Sequence, residues 1–385
     1  MTAGLALLGE RLAARDALGL ARTRRTLQSA QGPHVVVDGR ELLAFASNDY
    51  LGLANEPRVV AAMREGAVRF GAGAGASHLV GGHQTPHAAL EAALADHVRS
   101  CDGARALTLS SGYLANLAII TALAERDADI FADRLNHACL NDGALLSRAH
   151  FVRYPHADVD ALRARLAASR ARTKLIVTDA VFSMDGDVAP LAALLELADR
   201  HDAWLVVDDA HGFGVLGDGR GSLADAGITS ARIVYMGTLG KAAGVSGAFV
   251  CAHPVVIETI LQTARPYVYT TAAPAALACA MLESLAIIRD DAPRRARLAA
   301  RIAQFRDGAD DLRGRVPESR TPIQPVIVGE PVDAMALAQR LWEDGVWVPA
   351  IRPPTVPAHT ARLRVSLSAA HSEDDVARLL AALRA

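Results

Sequence analysis

The feature that most constrains the fold is a repeated alternation of short apolar runs with helical stretches between residues 104 and 280. Most runs are separated by roughly ten to twenty residues, rich in Ala, Leu and Arg, whose apolar positions recur at helical spacing. Strands that alternate with helices form a mostly parallel sheet with helices on both faces. The sequence therefore predicts an α/β fold around such a sheet. The predicted strands are residues 106–110, 129–133, 150–154, 174–182, 203–209, 232–238 and 247–252.

The chain on either side of this region has a different pattern. The whole chain of 385 residues exceeds the size at which one hydrophobic core stops growing, about 250 to 300 residues, so we expect more than one domain. The N-terminal stretch predicts a helix over 3–20 and a hairpin with its turn at Asp38-Gly39-Arg40. Later strands are predicted at 323–328, 346–351 and 363–367. The expected parts are an N-terminal arm 1–45, a large cofactor-binding α/β domain 46–280 and a smaller α+β C-terminal domain 281–385.

The composition argues against several function classes. A formal net charge of −2 gives no basic surface of the kind that binds nucleic acid. No apolar run approaches the roughly 18 residues that a membrane span needs, and the N-terminal stretch is an amphipathic helix rather than a signal peptide. The four cysteines are widely spaced and lack a CxxC pair, so neither a disulfide framework nor a zinc site is expected. We therefore expect a cytoplasmic protein that binds neither nucleic acid nor a membrane.

Candidate functional residues follow the predicted strands. The apolar run 203–207 leads into Asp208 and His211, and ligands of open α/β sheets lie beyond the carboxyl ends of such strands. The alternative is that Asp208 only caps the turn that follows. Residues 110–113 lead into a helix whose first N–H groups are suited to a phosphate. Lys241 lies among glycines and small residues after the predicted strand 232–238. Together these features favour a functional site.

A pyridoxal phosphate enzyme needs a phosphate-binding site, a buried carboxylate and a reactive lysine, and the helix N-terminus, Asp208 and Lys241 match these three parts. In this interpretation Lys241 binds the cofactor covalently, and Thr238 adds a hydroxyl to the phosphate site. Asp208 pairs with the pyridinium nitrogen and keeps it protonated, which makes the ring an electron sink. His137, at a fourth strand end, is placed to stack on the ring. Pyridoxal 5′-phosphate is therefore the expected cofactor.

The glycine-rich segment 71–83 does not fit a dinucleotide-binding fingerprint. Ala76 stands where that fingerprint needs its third glycine, and a helix rather than a strand precedes the segment. A flexible loop that lets the backbone approach a ligand or a second subunit is the preferred interpretation. His83 and His87 have the spacing of metal ligands on a helix, but Pro86 marks a helix start and puts His83 in the loop. No metal site is therefore expected.

Five motifs spread over nearly the whole chain carry a resemblance to a known family. They are SNDYLGL (47–53), SGYLAN (111–116), FSMDGD (182–187), DDAHGFG (208–214) and GTLGK (237–241). The chain resembles the α-oxoamine synthases, which are fold-type I pyridoxal phosphate enzymes that condense an amino acid with an acyl-CoA and release carbon dioxide. The resemblance implies a fold-type I PLP-dependent transferase, acting as an acyltransferase, and a homodimer whose active sites lie between two subunits.

The cofactor residues of that family match positions of this chain. The resemblance implies that Lys241 carries the cofactor and, once freed by the incoming amino acid, removes its Cα proton. It implies that Asp208 holds the pyridinium nitrogen and that His137 stacks on the ring. His211 and Ser183 are implied near the phenolic oxygen, although His211 could instead only cap its strand. The remaining cofactor contacts implied by the resemblance are Gly112, Tyr113 and Thr238.

The C-terminal block 351–371 is most similar to the family members that join L-alanine to a pimeloyl thioester in biotin biosynthesis. In that block Arg364 is the candidate for the amino acid carboxylate, because a guanidinium binds a carboxylate through two hydrogen bonds. Arg362 lies on the same face of the predicted strand and is the alternative. The positions that match contacts to the acyl substrate in the family, or lie beside them, are Arg24, Thr355 and Arg352.

Several alternatives stay open at the level of sequence. Arg25 cannot be separated from Arg24, and the N-terminal arginine cluster could be no more than a solvated helix end. Cys139 and His359 stand where the family commonly has serine and glycine, which affects packing and substrate entry. The amino acid could be glycine or serine with another acyl-CoA, and the acyl donor could be a CoA or a carrier-protein thioester. A regulatory protein that has kept the fold is disfavoured because Lys241 is retained.

Overall fold

The structure, a computed structural model, describes residues 2–17, 20–312 and 315–385. The strands are β1 (His34–Val37), β2 (Arg40–Ala44), β3 (Arg105–Leu109), β4 (Asp129–Asp133), β5 (His150–Tyr154), β6 (Lys174–Asp179), β7 (Trp204–Asp208), β8 (Ile233–Thr238), β9 (Ala248–Ala252), β10 (Ile323–Gly329), β11 (Val346–Trp347), β12 (Ala350–Ile351) and β13 (Ala361–Ser366). The α-helices are α1 (Ala3–Ala17), α2 (Pro57–Phe70), α3 (Thr85–Val98), α4 (Gly112–Leu123), α5 (Ala138–Ser147), α6 (Val159–Ala168), α7 (Leu191–His201), α8 (Ser222–Asp225), α9 (Pro254–Thr263), α10 (Arg265–Val268), α11 (Ala275–Asp290), α12 (Ala292–Gly308), α13 (Pro331–Glu343) and α14 (Glu373–Arg384). Short helical turns of other types lie at His78–Gly82, Gly217–Gly219 and Asp310–Leu312.

A seven-stranded sheet organises the larger part of the chain. Its strand order is β3-β9-β8-β7-β6-β4-β5. The strands from β4 to β8 pair in parallel, whereas β9 lies antiparallel to both of its neighbours, β8 and β3. Alternate residues of β7 face two separate cores, because Leu205 and Val207 pack in one core and Val206 in the other. The predicted mostly parallel α/β sheet, with all seven of its predicted strands, is confirmed.

The parallel strands end at one edge of the sheet, where polar residues collect. The strand β4 ends at Asp133, β6 at Asp179, β7 at Asp208 and β8 at Thr238. In the register of the sheet Asp179 is opposite Asp208, and Asp208 is opposite Met236. Carboxyl groups and a hydroxyl therefore lie side by side on neighbouring strands, at the edge where such sheets bind their ligands.

The N-terminal arm contains the predicted hairpin. The strands β1 and β2 pair antiparallel, and the turn residues Asp38 and Gly39 have φ values of 48° and 78°. Two consecutive positive φ values give the tight turn that matches the twist of a hairpin, and glycine adopts the second without strain. The helix predicted over 3–20 is α1, which ends at Ala17 and buries no residue. Residues 18 and 19 lie outside the described residues.

The strand predicted over 346–351 is divided between two small sheets. The strand β11 pairs in parallel with β2 of the hairpin, whereas β12 pairs with β13, which also pairs with β10. Val348 and Pro349 separate the two short strands, and the proline has no N–H to continue a ladder. The first short strand thereby joins the N-terminal arm to the C-terminal part of the chain.

The helices bear on two of the predictions. The proposed domain boundary at residue 280 falls inside α11, which packs against α2 and α3, and the division into an arm and two domains stays a prediction. The helix α12 ends at Gly308, shortly before residues 313 and 314, which are outside the described part of the chain. None of the described helices is both long and apolar enough to cross a membrane.

Candidate active site

The side chain of Lys241 lies in a buried polar network shortly beyond the end of β8. Its Nζ donates to Nε2 of His211 at 2.9 Å, and Nδ1 of His211 lies 2.7 Å from the hydroxyl oxygen of Tyr50. Burial lowers the pKa of Lys241 to about 8, although Asp208 and Asp179 oppose this shift. Burial, together with the charge of Lys241, also holds the pKa of His211 well below its usual range. A neutral imidazole beside an easily deprotonated amine suits a lysine that acts as nucleophile and base.

Tyr50 links His211 to Arg364. Its hydroxyl donates to Oδ1 of Asn48 at 3.1 Å, and Nη2 of Arg364 donates to the Tyr50 oxygen at 3.4 Å. The same Asn48 oxygen also accepts from Nη1 of Arg364 at 3.1 Å. Because the Tyr50 proton points to Asn48, His211 donates to Tyr50 through Nδ1 and accepts from Lys241 through Nε2. The network therefore fixes the tautomer of His211.

Asp208 is buried at the end of β7, and both of its carboxylate oxygens are bonded. Oδ1 accepts from the backbone N–H of Ala210 at 2.9 Å, and Oδ2 accepts from Nδ2 of Asn116 at 2.6 Å. One oxygen thus does cap the turn, as the alternative interpretation expected, while the other faces α4. The neighbouring Asp179 accepts from the backbone N–H of His137 at 2.7 Å, and burial raises its pKa well above the usual range. The sheet edge therefore holds a firmly oriented carboxylate.

His137 is the residue that precedes α5 and caps its N-terminus. Its Nδ1 accepts from the backbone N–H of Cys139 at 3.3 Å and lies 2.8 Å from Sγ of Cys139. The residue is exposed, yet the surrounding protein desolvates the imidazole and lowers the pKa of His137, against the opposing charge of Asp208. The ring is therefore held in place and still open to a ligand.

The N-terminus of α4 lies at the same edge of the sheet, after β3. Oγ of Ser111 accepts from the backbone N–H of Leu114 at 3.3 Å. The first N–H groups of a helix have no partner within it, so those of Gly112 and Tyr113 are suited to an anion. The hydroxyl of Thr238, at the end of β8, donates to a backbone carbonyl at 3.1 Å. The predicted phosphate residues thus come from two neighbouring elements.

The two candidate arginines of β13 have different partners. Arg362 forms an ion pair with Asp185. Arg364 is buried, and its acceptors among the described residues are neutral, including the carbonyl of Ser183 at 2.5 Å and the hydroxyl of Ser366 at 2.9 Å. A buried guanidinium whose charge has no carboxylate partner favours an anionic ligand. The contacts therefore favour Arg364 over Arg362, and they place Ser183 against Arg364.

The residues predicted for the acyl substrate border a separate groove of about 860 Å³. Arg352 and Thr355 line it together with Arg25, whereas Arg24 is exposed beside it. Arg352 donates to a backbone carbonyl of the N-terminal arm at 2.6 Å, which ties the two parts of the groove together. Arg25 is paired with Asp38 at 3.2 Å and lies over an indole ring. The groove is lined by the arm, α13 and residues 347–355.

The structure adds a third histidine to the pair with metal-ligand spacing. A ring nitrogen of His78, one of His83 and one of His87 lie within 4.8 Å of one another. Both nitrogens of His87 are already bonded, since Nδ1 accepts from the N–H of Gln84 at 3.0 Å and Nε2 donates to the carbonyl of Ala273 at 2.8 Å. Burial and the neighbouring imidazoles lower the pKa of His78 to about 4. A metal would have to displace a bond of His87, and the expected lack of a metal site stays a prediction.

Sequence reasoning did not single out four residues of this network. Tyr50 and Asn48 lie in the SNDYLGL motif, which served only to identify the family. Asp179 ends a predicted strand just as Asp208 does, so the same signal was available for it. Asn116 ends the SGYLAN motif and is a polar residue in a mostly apolar helix, and its burial reveals that it faces the site.

The fold and the sheet-edge residues define the class of protein. The chain belongs to the family described as aminotransferase class I and II, whose pattern matches residues 40–383. A protein from Aromatoleum aromaticum named 8-amino-7-oxononanoate synthase is 60% identical over 373 residues, which are 97% of this chain and 96% of that protein. A Burkholderia mallei protein of the same name is 58% identical over 383 residues, which are 98% and 97% of the two chains. Within the family, the chain groups with the 8-amino-7-oxononanoate synthases.

Solved structures agree with the fold of this family. A serine palmitoyltransferase from S. paucimobilis, with bound PLP and myriocin, superimposes with a TM-score of 0.91 at 29% identity and covers 98% of this chain and 96% of its own. An 8-amino-7-oxononanoate synthase from Francisella tularensis superimposes with a TM-score of 0.77 at 30% identity, covering 89% and 96% of the two chains. The predicted fold-type I PLP transferase is confirmed.

The donor set at the sheet edge fits pyridoxal phosphate, which is the cofactor of this enzyme. A buried carboxylate, Asp208, suits a protonated ring nitrogen. Lys241, with a pKa lowered to about 8, is a competent nucleophile for an aldehyde. The first N–H groups of α4 suit the phosphate. The predicted cofactor is thus supported both by relatives and by the chemistry of the side chains.

Proposed function

We propose that the chain catalyses the condensation of L-alanine with a pimeloyl thioester, a step of biotin biosynthesis that takes place in the cytoplasm. The products would be 8-amino-7-oxononanoate, the free thiol and carbon dioxide. The observation that carries the proposal is 60% identity, over nearly the full length of both chains, with a protein named 8-amino-7-oxononanoate synthase. Lys241 and Asp208 at the sheet edge, with Arg364 on β13, are the groups that such a reaction needs.

The reaction forms a bond between Cα of alanine and the carbonyl carbon of the thioester, and the thiolate leaves. The bond from Cα to the carboxylate then breaks, its electron pair passes to Cα, and Cα takes up a proton. Bound pyridoxal phosphate supplies the electron sink that stabilises negative charge on Cα at both stages. The residues of the chain have to orient the amino acid and move the proton at Cα.

Lys241 would hold the cofactor covalently in the resting enzyme, and its amine, freed when alanine binds, would remove the Cα proton. Its pKa of about 8 keeps neutral amine available near neutral pH, as a general base requires. Asp208 would pair with the ring nitrogen, and His137 would stack on the ring. His211 and Ser183 would lie near the phenolic oxygen. The phosphate would be held by Gly112, Tyr113 and Thr238.

The two substrates would use different parts of the molecule. Arg364 would bind the carboxylate of alanine, because it is a buried guanidinium with neutral partners. The groove between the N-terminal arm and the C-terminal part would take the acyl substrate, whose far end carries a carboxylate. Arg352 and Thr355 line that groove, and Arg24 lies beside it. Positively charged walls complement such a substrate.

We also propose a homodimer with shared active sites. Tyr113, at the candidate phosphate-binding site, is 42% exposed. The large apolar side chains of Val80 and Tyr269 are 82% and 72% exposed. The segments that carry Val80 and Tyr269 are adjacent, because Ser77 pairs with Thr271. Exposed apolar surface beside a site is typical of an interface.

The deciding experiment is product analysis with the purified holoenzyme. L-alanine and pimeloyl-CoA should yield 8-amino-7-oxononanoate by mass spectrometry, with one carbon dioxide for each thiol released. The chain has two lysines, and Lys241→Ala should abolish turnover whereas Lys174→Ala should not. A parallel assay with the pimeloyl carrier-protein thioester identifies the preferred donor.

Two other outcomes would replace the proposal. Faster turnover of glycine or serine with another acyl-CoA would assign the chain to a different α-oxoamine synthase. A visible spectrum that responds to alanine, with no turnover of any acyl thioester, would indicate a regulatory protein on the same fold.

A further inference from the structure

We propose that Asn116 and Cys139 are positioning residues, which orient Asp208 and His137 through one chain of hydrogen bonds. The inference rests on the proposed function only in taking Asp208 and His137 as contacts of the cofactor ring. Asn116 and Cys139 come from different helices, α4 and α5, and neither follows a strand end directly. Their contacts with each other join the two sides of the site.

Asn116 is fully buried in the middle of α4. Its Nδ2 lies 2.6 Å from Oδ2 of Asp208 and 3.1 Å from Sγ of Cys139. An amide nitrogen carries two hydrogens, so it can donate to both acceptors at once. If the amide were turned over, its oxygen would face the carboxylate oxygen at the same short distance, so the contacts determine its orientation. Asn116 therefore couples the carboxylate to the thiol.

The oxygen of the Asn116 amide faces no hydrogen-bond donor among the described residues. This atom, Oδ1, is buried and accepts no hydrogen bond from the part of the chain that the structure describes. A buried polar atom without a partner destabilises a fold, and an apolar side chain of similar volume would avoid that loss. What the asparagine contributes at this position is therefore its two donors, which are directed at Asp208 and Cys139.

Cys139 continues the chain to His137. Its Sγ lies 2.8 Å from Nδ1 of His137, and its backbone N–H donates to the same nitrogen at 3.3 Å. Burial, with Asp208 nearby, raises the pKa of the Cys139 thiol, so the thiol keeps its proton and can donate. An Nδ1 that accepts from two donors leaves the proton of neutral His137 on Nε2.

The hydrogen bonds run in one direction along the chain. The amide of Asn116 donates to the carboxylate and to the sulfur, and the sulfur donates to the imidazole of His137. This fixes the carboxylate of Asp208 and the tautomer of His137 together. A serine hydroxyl has the same donor and acceptor capacity as the thiol, so it would preserve the arrangement, whereas alanine would break it.

The first test measures the affinity of the apoenzyme for pyridoxal phosphate by absorbance titration, without any substrate. We expect Cys139→Ala to raise the dissociation constant about three- to tenfold, which corresponds to the binding free energy of one hydrogen bond. Cys139→Ser should stay within about twofold of the wild type. The matched control is Cys101→Ala, which removes another buried thiol, before the start of β3, and should change nothing.

The second test measures how the visible absorbance of the holoenzyme depends on pH. A proton on the ring nitrogen withdraws electrons from the nitrogen that joins Lys241 to the cofactor. If Asp208 pairs less firmly with the ring nitrogen, that nitrogen holds its proton less well. The pKa of the nitrogen joined to Lys241 should then rise, and the midpoint of the absorbance titration should rise with it by about half a pH unit or more. Asn116→Leu, which keeps the volume, is the main variant, and Asn116→Ala serves if leucine cannot pack.

The outcomes separate positioning from stability. The thermal midpoint of each apoenzyme is measured in parallel. Wild-type affinity and wild-type pH midpoints in Cys139→Ala and in both Asn116 variants would overturn the proposal, even if the variants melt earlier, because that pattern describes a merely structural role. Failure of the alanine and pimeloyl reaction would leave these measurements intact, since they use no substrate.

Discussion

The protonation state of Lys241 controls how fast the apoenzyme takes up its cofactor. Only the neutral amine attacks an aldehyde, and burial lowers the pKa of Lys241 from 10.5 to about 8. The neutral form therefore becomes the major one above about pH 8 rather than above 10.5. We expect the rate constant of uptake, followed by stopped-flow absorbance, to rise with pH, to reach half its maximum near pH 8 and then to level off.

Two controls isolate the contribution of the protein. The same mixing with Nα-acetyl-lysine gives the pH dependence of an amine that is not buried, together with any that comes from the cofactor itself. Asp208→Asn removes a charge that raises the pKa of Lys241, so the half-maximum should move to lower pH. A half-maximum close to that of the free amino acid would contradict the burial argument.

The sequence identifies the site residues that follow strands and misses those that do not. Each of the three residues Lys241, Asp208 and His137 comes shortly after an apolar run. These runs are strands, and the sheet brings the ends of the strands to one edge. Tyr50 and Asn116 reach the same site from a loop and from the middle of a helix, far from their partners in the chain. Such contacts depend on tertiary packing, which local pattern does not encode.

At the scale of elements, His156 ties the end of one strand to the loop that carries the FSMDGD motif. Its Nδ1 bonds to Asp133 at 3.0 Å and its Nε2 to Asp187 at 2.8 Å, so it bridges the end of β4 and the FSMDGD segment. The ring also packs edge-on against Phe182, with centroids 4.4 Å apart. These two carboxylates raise the pKa of His156 to about 10.

The raised pKa of His156 predicts a stability contribution that disappears at high pH. A folded-state pKa above the unfolded value of 6.5 means that the contribution is complete below about pH 6.5 and is lost as the pH rises through about 10. We expect His156→Gln to lower the free energy of unfolding by about 1 to 3 kcal/mol at pH 6.5, measured with urea. The difference from wild type should shrink markedly above pH 10.

The matched control is His150→Gln, an exposed histidine paired with Asp129 at 3.0 Å. An exposed pair contributes at most about 1 kcal/mol, so this variant should unfold almost as the wild type does. Equal destabilisation by both variants, or a His156 effect that does not change with pH, would contradict the bridge.

The strands were predictable as elements because each is an apolar run bounded by helical pattern. Which strands pair with each other was less predictable from the sequence. The strand predicted over 346–351 divides at Pro349, and its first half joins β2, which lies some 300 positions earlier in the chain. Hydropathy marks a stretch as extended but does not say which of two sheets it enters, since that depends on partners distant in sequence.

At the scale of the whole molecule, several large apolar side chains lie on the surface of the described residues. The helix α1 buries no residue and exposes Leu5, Leu8 and Leu12, which recur on one helical face. Val80 and Tyr269 are exposed on adjacent segments. A second copy of the chain would remove this surface from water, which is the main driving force of association.

We expect the holoenzyme to sediment at about twice the chain mass of 40.5 kDa. Val80→Glu would place a charge in the apolar contact, and Val332→Glu, at a 77% exposed position on α13, is the matched control. Val80→Glu should raise the dimer dissociation constant by about tenfold or more, because an unpaired charge buried at an interface loses at least 1.4 kcal/mol of binding. Activity per subunit should then fall on dilution in Val80→Glu and not in the control. A monomeric wild type at micromolar concentration, or equal dissociation constants for the two variants, would show that this apolar surface does not bind a second copy.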